Sequence, residues 1–377
     1  MKNKKIVFLT GTRADFGKLK SLIKITQDSK KFDIHIFVTG MHMNSKYGKT
    51  VDEIYKSGFK NIYQFINHDT VEHMDRTLAK TVDGFSHYIA EIKPDLIVIH
   101  GDRVEALAGA IVGSMNNILV SHVEGGEISG TIDELIRHSV SKLSHIHLVA
   151  NDEAKRRLLQ MGERNEAIFT IGSPDLDLMD PQKLPKIEDV KKYYEINFDT
   201  YSVLIFHPVT TEYEKMAKYA NDLIEVLIES QRNFIVIYPN NDLGSNEILY
   251  ELNKVSTHPN FKIFPSLRFE YFLSLLKNAE FMIGNSSAAL REAPFYKIPS
   301  INIGTRQDNR VKNKNIINCD YSQEAISLAI NKIENLDLSD EIPNQFGDGT
   351  SDKQFIELLN NDKFWKIKQQ KQFLEFK

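Results

Sequence analysis

One cysteine among 377 residues, Cys319, leaves no partner for an intrachain disulfide, and no Cys/His spacing accompanies it that would build a metal site. Long apolar runs are missing as well. With 41% hydrophobic and 26% charged residues the composition is that of a soluble globular protein, and no stretch reaches the roughly 20 apolar residues of a membrane span. Excess positive charge is also lacking: a net charge of -4 argues against a general nucleic-acid binder, which needs a basic surface to displace counterions. Any phosphate site must therefore be local. The N-terminus has no secretory pattern, because the apolar run after Lys5 is short and ends at Thr10-Gly11. It suits a first β-strand and predicts a cytoplasmic protein with no membrane partner. The spacing Gly-x-Gly-x-x-Gly is absent from the turn that follows, Thr10-Gly11-Thr12-Arg13-Ala14-Asp15-Phe16-Gly17, so a dinucleotide site is poorly supported.

What the sequence does have is a repeated rhythm of short β-branched runs, each followed by a turn and a longer amphipathic stretch. Ile6-Val7-Phe8-Leu9, Ile34–Val38, Leu96–Ile99 and Ile118-Leu119-Val120 carry it in the first half. Val203–Phe206, Phe234–Ile237, Phe281-Met282-Ile283 and Ser300–Ile303 carry it in the second. Strands of this kind belong in parallel sheets covered on both faces by helices. Prolines 174, 181 and 185 interrupt the rhythm as a linker would. The expectation is an α/β protein of two doubly wound, Rossmann-like domains, 1–180 and 186–355, with a C-terminal helix over 356–377 packing back on the first. The default active site is then the interdomain cleft, since open α/β sheets bind ligands at the carboxyl ends of their strands.

The reactive residues fall just after the expected strands. Arg13 follows the first, where a helix N-terminus favours an anion, although an exposed Arg on a turn would look the same. Asp102 follows Ile99-His100-Gly101, and Glu124 follows Ser121-His122-Val123. Asp133 comes shortly after, past Ser129-Gly130-Thr131. Three carboxylates on consecutive strand-end loops, with glycines beside them, can converge on a substrate and divide acid and base work. Solvated surface carboxylates are the plainer reading. His145-Ile146-His147 presents two histidines on one strand face, yet no third and fourth ligand is in view, which favours local hydrogen bonds over a metal. In the second half, His207 and Asn240 follow strands. Gly284-Asn285-Ser286-Ser287 leads into a helical segment whose hydroxyls and free N–H groups suit a diphosphate. Glu292, further along that segment, suits ribose hydroxyls, and Arg306 follows another strand. Ser286 as an ordinary N-cap is the simpler alternative.

Taken together and in order, these motifs resemble the UDP-N-acetylglucosamine 2-epimerase family, in its hydrolysing branch from bacterial sialic acid biosynthesis. The likeness runs from Gly11-Thr12-Arg13-Ala14-Asp15 through His100-Gly101-Asp102-Arg103, His122-Val123-Glu124-Gly125-Gly126 and Gly172-Ser173-Pro174-Asp175 to Gly284-Asn285-Ser286-Ser287 and Gly304-Thr305-Arg306-Gln307-Asp308-Asn309-Arg310. It implies a glycosyltransferase-B-like pair of domains, no NAD and no metal. UDP-N-acetylglucosamine would be the substrate, UDP and N-acetylmannosamine the products, and a homodimer or homotetramer the working form. By position, the acid/base carboxylates fall on Asp102, Glu124 and Asp133. The UDP contacts fall on Arg13, His207, Asn240, Ser286, Ser287, Glu292 and Arg306. Non-hydrolysing members carry Gln before the second-strand His, where this chain has Met41-His42, and Thr-Glu-Arg-Pro where it has Thr305-Arg306-Gln307-Asp308. Both departures favour hydrolysis. The alternatives are the same chemistry on a 2,4-diacetamido-6-deoxy sugar, a glycosyltransferase of the same fold, and a nucleotide-sugar sensor. The last two would have no use for three carboxylates.

Overall fold

A computed structural model describes residues 3–45, 48–67, 73–129, 131–182, 184–307, 314–333, 336 and 346–375. Gly130, Asp308, Asn309 and Arg310 lie outside the described residues. The chain forms two compact units, one of Met1–Glu127, Asp133–Asp180 and Gln345–Lys377, the other of Ile128–Ile132 and Pro181–Asn344.

The first unit has β1 (Lys4–Thr10), β2 (Phe32–Val38), β3 (Ile62–Gln64), β4 (Leu96–His100), β5 (Leu119–Val123), β6 (Ile146–Val149) and β7 (Ile168–Thr170), of which β1, β2, β4 and β5 are the apolar runs of the sequence. Among the described residues they make one parallel sheet in the order β3-β2-β1-β4-β5-β6-β7. The strands read as near-continuous β-branched runs because both faces are covered. Ile6, Phe8, Ile36 and Val98 pack with Leu19 and Leu22 of the helix Arg13–Asp28. The chain winds outward from β1 to one edge, then returns to β4 on the other side of β1. At that reversal the connections leave in opposite directions, and a crevice opens at the carboxyl ends of β1 and β4.

The second unit repeats the scheme with β8 (Ser202–Ile205), β9 (Phe234–Ile237), β10 (Phe261–Phe264), β11 (Met282–Gly284), β12 (Ser300–Ile303) and β13 (Ile316–Cys319). Their parallel order among the described residues is β10-β9-β8-β11-β12-β13, with the reversal between β8 and β11. Leu204, Phe234, Val236, Ile283 and Ile301 form its core with Leu223 and Leu227 of the helix Met216–Glu229. The α/β class with two doubly wound sheets, read from the sequence, is the one observed. Among the described residues no helix is long and apolar enough to cross a membrane.

The C-terminal segment differs from its expectation in form. Its helix is Ser351–Leu359 and stops before Asn360-Asn361-Asp362, side chains that compete with the helix for backbone hydrogen bonds. A single 3-10 turn, Phe364–Lys366, follows. Phe355, Leu359 and Phe364 are buried in the first unit's core, Phe355 edge-on to Phe8 at 6.3 Å between ring centroids.

Gly284, the last residue of β11, marks the tightest approach at the second reversal. Its φ is 130°, and a Cβ there would lie 2.0 Å from the Ile205 carbonyl oxygen on β8. Neither the dihedral nor the space tolerates a side chain. Gly284→Ala is therefore expected to destabilise the fold by about 2–4 kcal/mol, combining backbone strain and overpacking. Urea unfolding measures this, and an unchanged midpoint would remove Gly284 as a constraint.

Candidate active site

The turn after β1 is built as a helix cap. Thr12 accepts the Asp15 N–H at 3.2 Å, and the Asp15 carboxylate accepts from the N–H groups of Gly11 and Thr12, each at 3.0 Å. Asp15 thus serves the turn, and Arg13 opens the helix with its guanidinium 3.9 Å from Glu53. Beneath lies His42, fully buried, bonded through Nε2 to the Thr10 hydroxyl (3.0 Å) and through Nδ1 to the Thr50 hydroxyl (2.6 Å). Burial pushes its pKa down to about 4, outweighing the opposite pull of Asp15. A neutral imidazole therefore pins the Gly40–Met43 turn under β1. Glu105 is buried beside it, where burial raises its carboxyl above the usual range and Asn67 donates to it at 3.3 Å.

The three predicted carboxylates stand at the carboxyl edge of this sheet. Asp102 follows β4, Glu124 follows β5, and Asp133 lies in the first turn of the helix Ile132–Leu143. Glu124 is 2% exposed and holds a φ of 62°, a left-handed conformation unusual for a residue with a side chain. Two backbone bonds hold it there: its N–H donates to the Leu148 carbonyl at 2.8 Å, and its carbonyl accepts from Arg137 Nη1 at 2.7 Å. The other guanidinium nitrogen of Arg137 is ion-paired with Asp102. Arg137 is one turn beyond Asp133 on the same helix face, and both are buried. One arginine thus ties together the loops of Asp102 and Glu124 and the helix of Asp133.

The Glu124 carboxylate is enclosed by His100 Nε2 at 3.0 Å, the Ser173 hydroxyl, and Lys18 Nζ at 3.6 Å. Lys18 also pairs with the buried Asp175 at 2.7 Å. His122 donates from Nε2 to the Gly101 carbonyl at 2.8 Å, with Ser141 Oγ 3.0 Å from Nδ1. Burial holds its pKa well below the ordinary value, so the ring orients the Gly101-Asp102 turn as a neutral group. Sequence reasoning assigned no role to Lys18, His100, Arg137, Ser173 or Asp175. For two of them a signal was present: Lys18 is a cation four residues from the apolar Leu22 on its helix, and Arg137 is four residues beyond the candidate carboxylate Asp133. Ser173 and Asp175 lie in a stretch that carried the family likeness and a linker-like proline, with no role given to either.

On the second unit, His207 follows β8 and Asn285 follows β11, the two strands at the reversal. Asn285 is fully buried and grips the backbone of His207 from both sides, accepting its N–H at 2.6 Å and donating to its carbonyl at 2.8 Å. His207 Nδ1 in turn accepts the Asn240 N–H at 2.9 Å from the loop after β9. Arg306 Nη1 and Gln307 Nε2 both donate to the Asn285 carbonyl, at 3.3 and 2.8 Å. His207, Asn240 and Arg306 are thereby held in one network. Ser286 caps a 3-10 turn, Ser287–Ala289, its hydroxyl accepting the Ala288 N–H at 3.3 Å. The expected continuous helix is instead this turn followed by Glu292–Phe295. Pro294 is the reason, since its ring clashes with the carbonyl four residues back and it has no N–H to donate. Glu292 is buried at the start of the second piece.

Residues 24–360 match the family described as UDP-N-acetylglucosamine 2-epimerase. The chain is 49% identical over 374 residues to the UDP-N-acetylglucosamine 2-epimerase of Neisseria meningitidis serogroup B, covering 99% of each chain. The chain belongs to this family. It is also 34% identical to the UDP-N,N'-diacetylbacillosamine 2-epimerase (hydrolyzing) of Legionella pneumophila, covering 94% of this chain and 95% of that one. In fold it is similar to the crystal structure of Methanocaldococcus jannaschii UDP-GlcNAc 2-epimerase in complex with UDP-GlcNAc and UDP, with a TM-score of 0.81 at 24% identity, covering 94% of this chain and 99% of that chain.

In this member of the epimerase family the paired histidines before and on β6 are engaged locally. His145 accepts the Val120 N–H at 3.0 Å, and His147 bonds Glu163 at 3.0 Å. Among the described residues no group of three His, Cys, Asp or Glu could hold a metal ion. Burial pushes the Cys319 thiol up to about 12, so it is protonated and a poor nucleophile.

The buried His42 makes stability pH-dependent. Its folded pKa lies below its unfolded one, so its contribution is complete above the unfolded value of 6.5 and is lost as pH falls toward about 4. That loss amounts to about 3 kcal/mol by linkage. His42→Gln is expected to flatten unfolding free energy against pH by this amount between those limits, as measured by urea titration at stepped pH. Parallel curves for the two proteins would contradict a neutral buried His42.

Proposed function

We propose that this chain is a hydrolysing UDP-N-acetylglucosamine 2-epimerase, converting UDP-N-acetylglucosamine and water to UDP and free N-acetylmannosamine. The observation that carries the reading is the carboxylate cluster itself, Asp102 and Glu124 linked through Arg137 with Asp133 on the same helix. The hydrolysing name of the Legionella relative supports the branch, as do Met41 before His42 and the absence of a Thr-Glu-Arg-Pro run after β12.

The hydrogen at C2 has no adjacent carbonyl to acidify it, so the reaction must begin at C1. As the C1–O bond breaks and UDP leaves with the electron pair, positive charge develops on the ring and the C2 hydrogen becomes acidic. A carboxylate takes that proton, leaving 2-acetamidoglucal. Water then adds to C1 and gives up a proton, while a protonated carboxyl delivers one to the opposite face of C2. Asp102, Glu124 and Asp133 supply the base and the acid. Arg13, His207, Arg306 and the Ser286-Ser287 turn stabilise the departing diphosphate, Asn240 contributes to the nucleotide site, and Glu292 accepts from the ribose. The Legionella relative's name motivates one second reading, the same steps on a UDP-linked 2,4-diacetamido-2,4,6-trideoxyglucose.

Turnover of UDP-N-acetylglucosamine in deuterated water is expected to give UDP and N-acetylmannosamine carrying deuterium at C2, seen by NMR and mass spectrometry. Retained protium at C2 would exclude elimination. A UDP-linked product would assign the non-hydrolysing branch, and turnover of the diacetamido sugar alone would establish the second reading.

Asp102→Asn, Glu124→Gln and Asp133→Asn keep shape while removing proton exchange. Each is expected to lower the turnover number per folded molecule on the order of 10²–10⁴-fold with little change in UDP affinity; Asp102→Asn, which takes the charge partner from the buried Arg137, is expected to lower the melting temperature as well. A variant that keeps near-normal turnover takes its residue out of the mechanism.

A further inference from the structure

The far end of the chain is fastened to the helix that carries Asp133 and Arg137. Helix Ile132–Leu143 ends, as every helix does, on carbonyls without N–H partners of their own. The carbonyls of Ser141, Lys142 and Ser144 converge on Lys371 Nζ at 3.3, 2.9 and 2.7 Å. The same ammonium is 2.5 Å from Glu163 Oε2, and the Lys371 side chain is only 27% exposed. Glu163 is shared with His147 Nε2 and Lys142 Nζ, both at 3.0 Å. Burial works against its charge, yet its bonds to His147 and then Lys371 hold its pKa at about 2. Two residues before Lys371, the Gln369 carbonyl accepts from His145 Nε2 at 2.8 Å. Gln370 donates to Asn117 at 2.8 Å.

A cation at a helix carboxyl end is commonly a nearby side chain in the last turn, stabilising the carbonyls and the dipole together. Here the capping cation comes from a residue more than two hundred positions away and is itself anchored by a buried carboxylate. The arrangement therefore does more than end a helix: it fixes the helix's position along its axis. Asp133 stands in the first turn at the other end of that axis and Arg137 midway along it, where it sets both the Asp102 pair and the Glu124 backbone.

We propose that Lys371 is a positioning residue for the carboxylate cluster, holding the carboxyl end of helix Ile132–Leu143 so that Asp133 and Arg137 meet the sugar in register. The inference rests on the acid/base role proposed for Asp133. Displacing a reacting group by a fraction of its contact distance slows chemistry while leaving the nucleotide's own contacts intact.

Lys371→Met is expected to lower the turnover number of the full chain tenfold or more, with KM and UDP affinity within about twofold of the parent. Hydrogen exchange of amides 133–144 should accelerate while β1 and β4 keep their protection. Glu163→Gln, which leaves Lys371 in place but removes its ion-pair partner, should give the same two changes to a smaller degree. It decides the matter if Lys371→Met does not fold. Lys366→Met, an exposed lysine of the same segment, should change neither. Normal turnover in both Lys371→Met and Glu163→Gln, or a loss matched by weaker UDP binding, overturns the proposal. Failure of the underlying reading looks different: Asp133→Asn would then retain turnover, while the exchange experiment still reports whether Lys371 secures the helix.

Discussion

The Arg137 guanidinium is the interaction on which the first unit's working edge depends. It is buried, its charge is met by Asp102, and a second nitrogen binds the carbonyl of Glu124. Removing one partner of such a buried pair costs about 3–5 kcal/mol, because the remaining charge is left without compensation. Here the consequence is also conformational. Glu124 is held in a left-handed backbone conformation that its side chain disfavours, and the bonds at its N–H and carbonyl keep it there. That conformation places a carboxylate against Lys18, His100 and Ser173, an environment in which a buried negative charge has partners.

The second unit solves the same geometric problem with a neutral group. Both sheets reverse direction beside their first strand, and in both the strand-end loops must be held to a common level before they can share a ligand. Arg137 does this across the ends of β4 and β5; Asn285 does it across β8 and β11 by gripping both backbone groups of His207. Gly284 permits the close approach of those two strands immediately before Asn285. An amide suits this position because it offers donor and acceptor without a charge, which leaves the electrostatics there to His207 and Arg306.

The α/β class and the central strands were legible in the sequence because buried parallel strands announce themselves as β-branched runs, whereas β3, β7, β10 and β13, short and partly exposed, were not read. The strand-end position of Asp102, Glu124, His207 and Asn240 followed from the same rhythm. Local breaks were harder to read. The helix expected after Ser287 is interrupted at Leu290-Arg291, ahead of Pro294, and the one expected over 356–377 ends at Leu359, where Asn-Asn-Asp competes for the backbone. Least legible were the supporting groups. Ser173 and Asp175 fall in a stretch of the family likeness, yet nothing local assigns either a role, since their contacts with Glu124 and Lys18 span long stretches of chain. Lys371, in a polar tail, is in the same position. Such residues are recruited by tertiary structure, and their type alone does not reveal it.

The chemistry proposed for the cluster explains why it is built from several elements and secured from behind. Inversion at C2 by elimination and readdition requires a base on one face of the sugar ring and an acid on the other. Two groups on one loop cannot bracket a ring, whereas groups from the ends of two strands and the start of a following helix can. The consequence is that their mutual distance is set by the packing of separate elements and not by covalent geometry, so small slips of any one of them are felt at the reacting carbon. Of the three, the helix is the element free to slide, because Asp102 and Glu124 follow strands locked in the middle of the sheet. It is the helix, accordingly, that is held at two points, by Arg137 midway along it and by Lys371 at its far carbonyls.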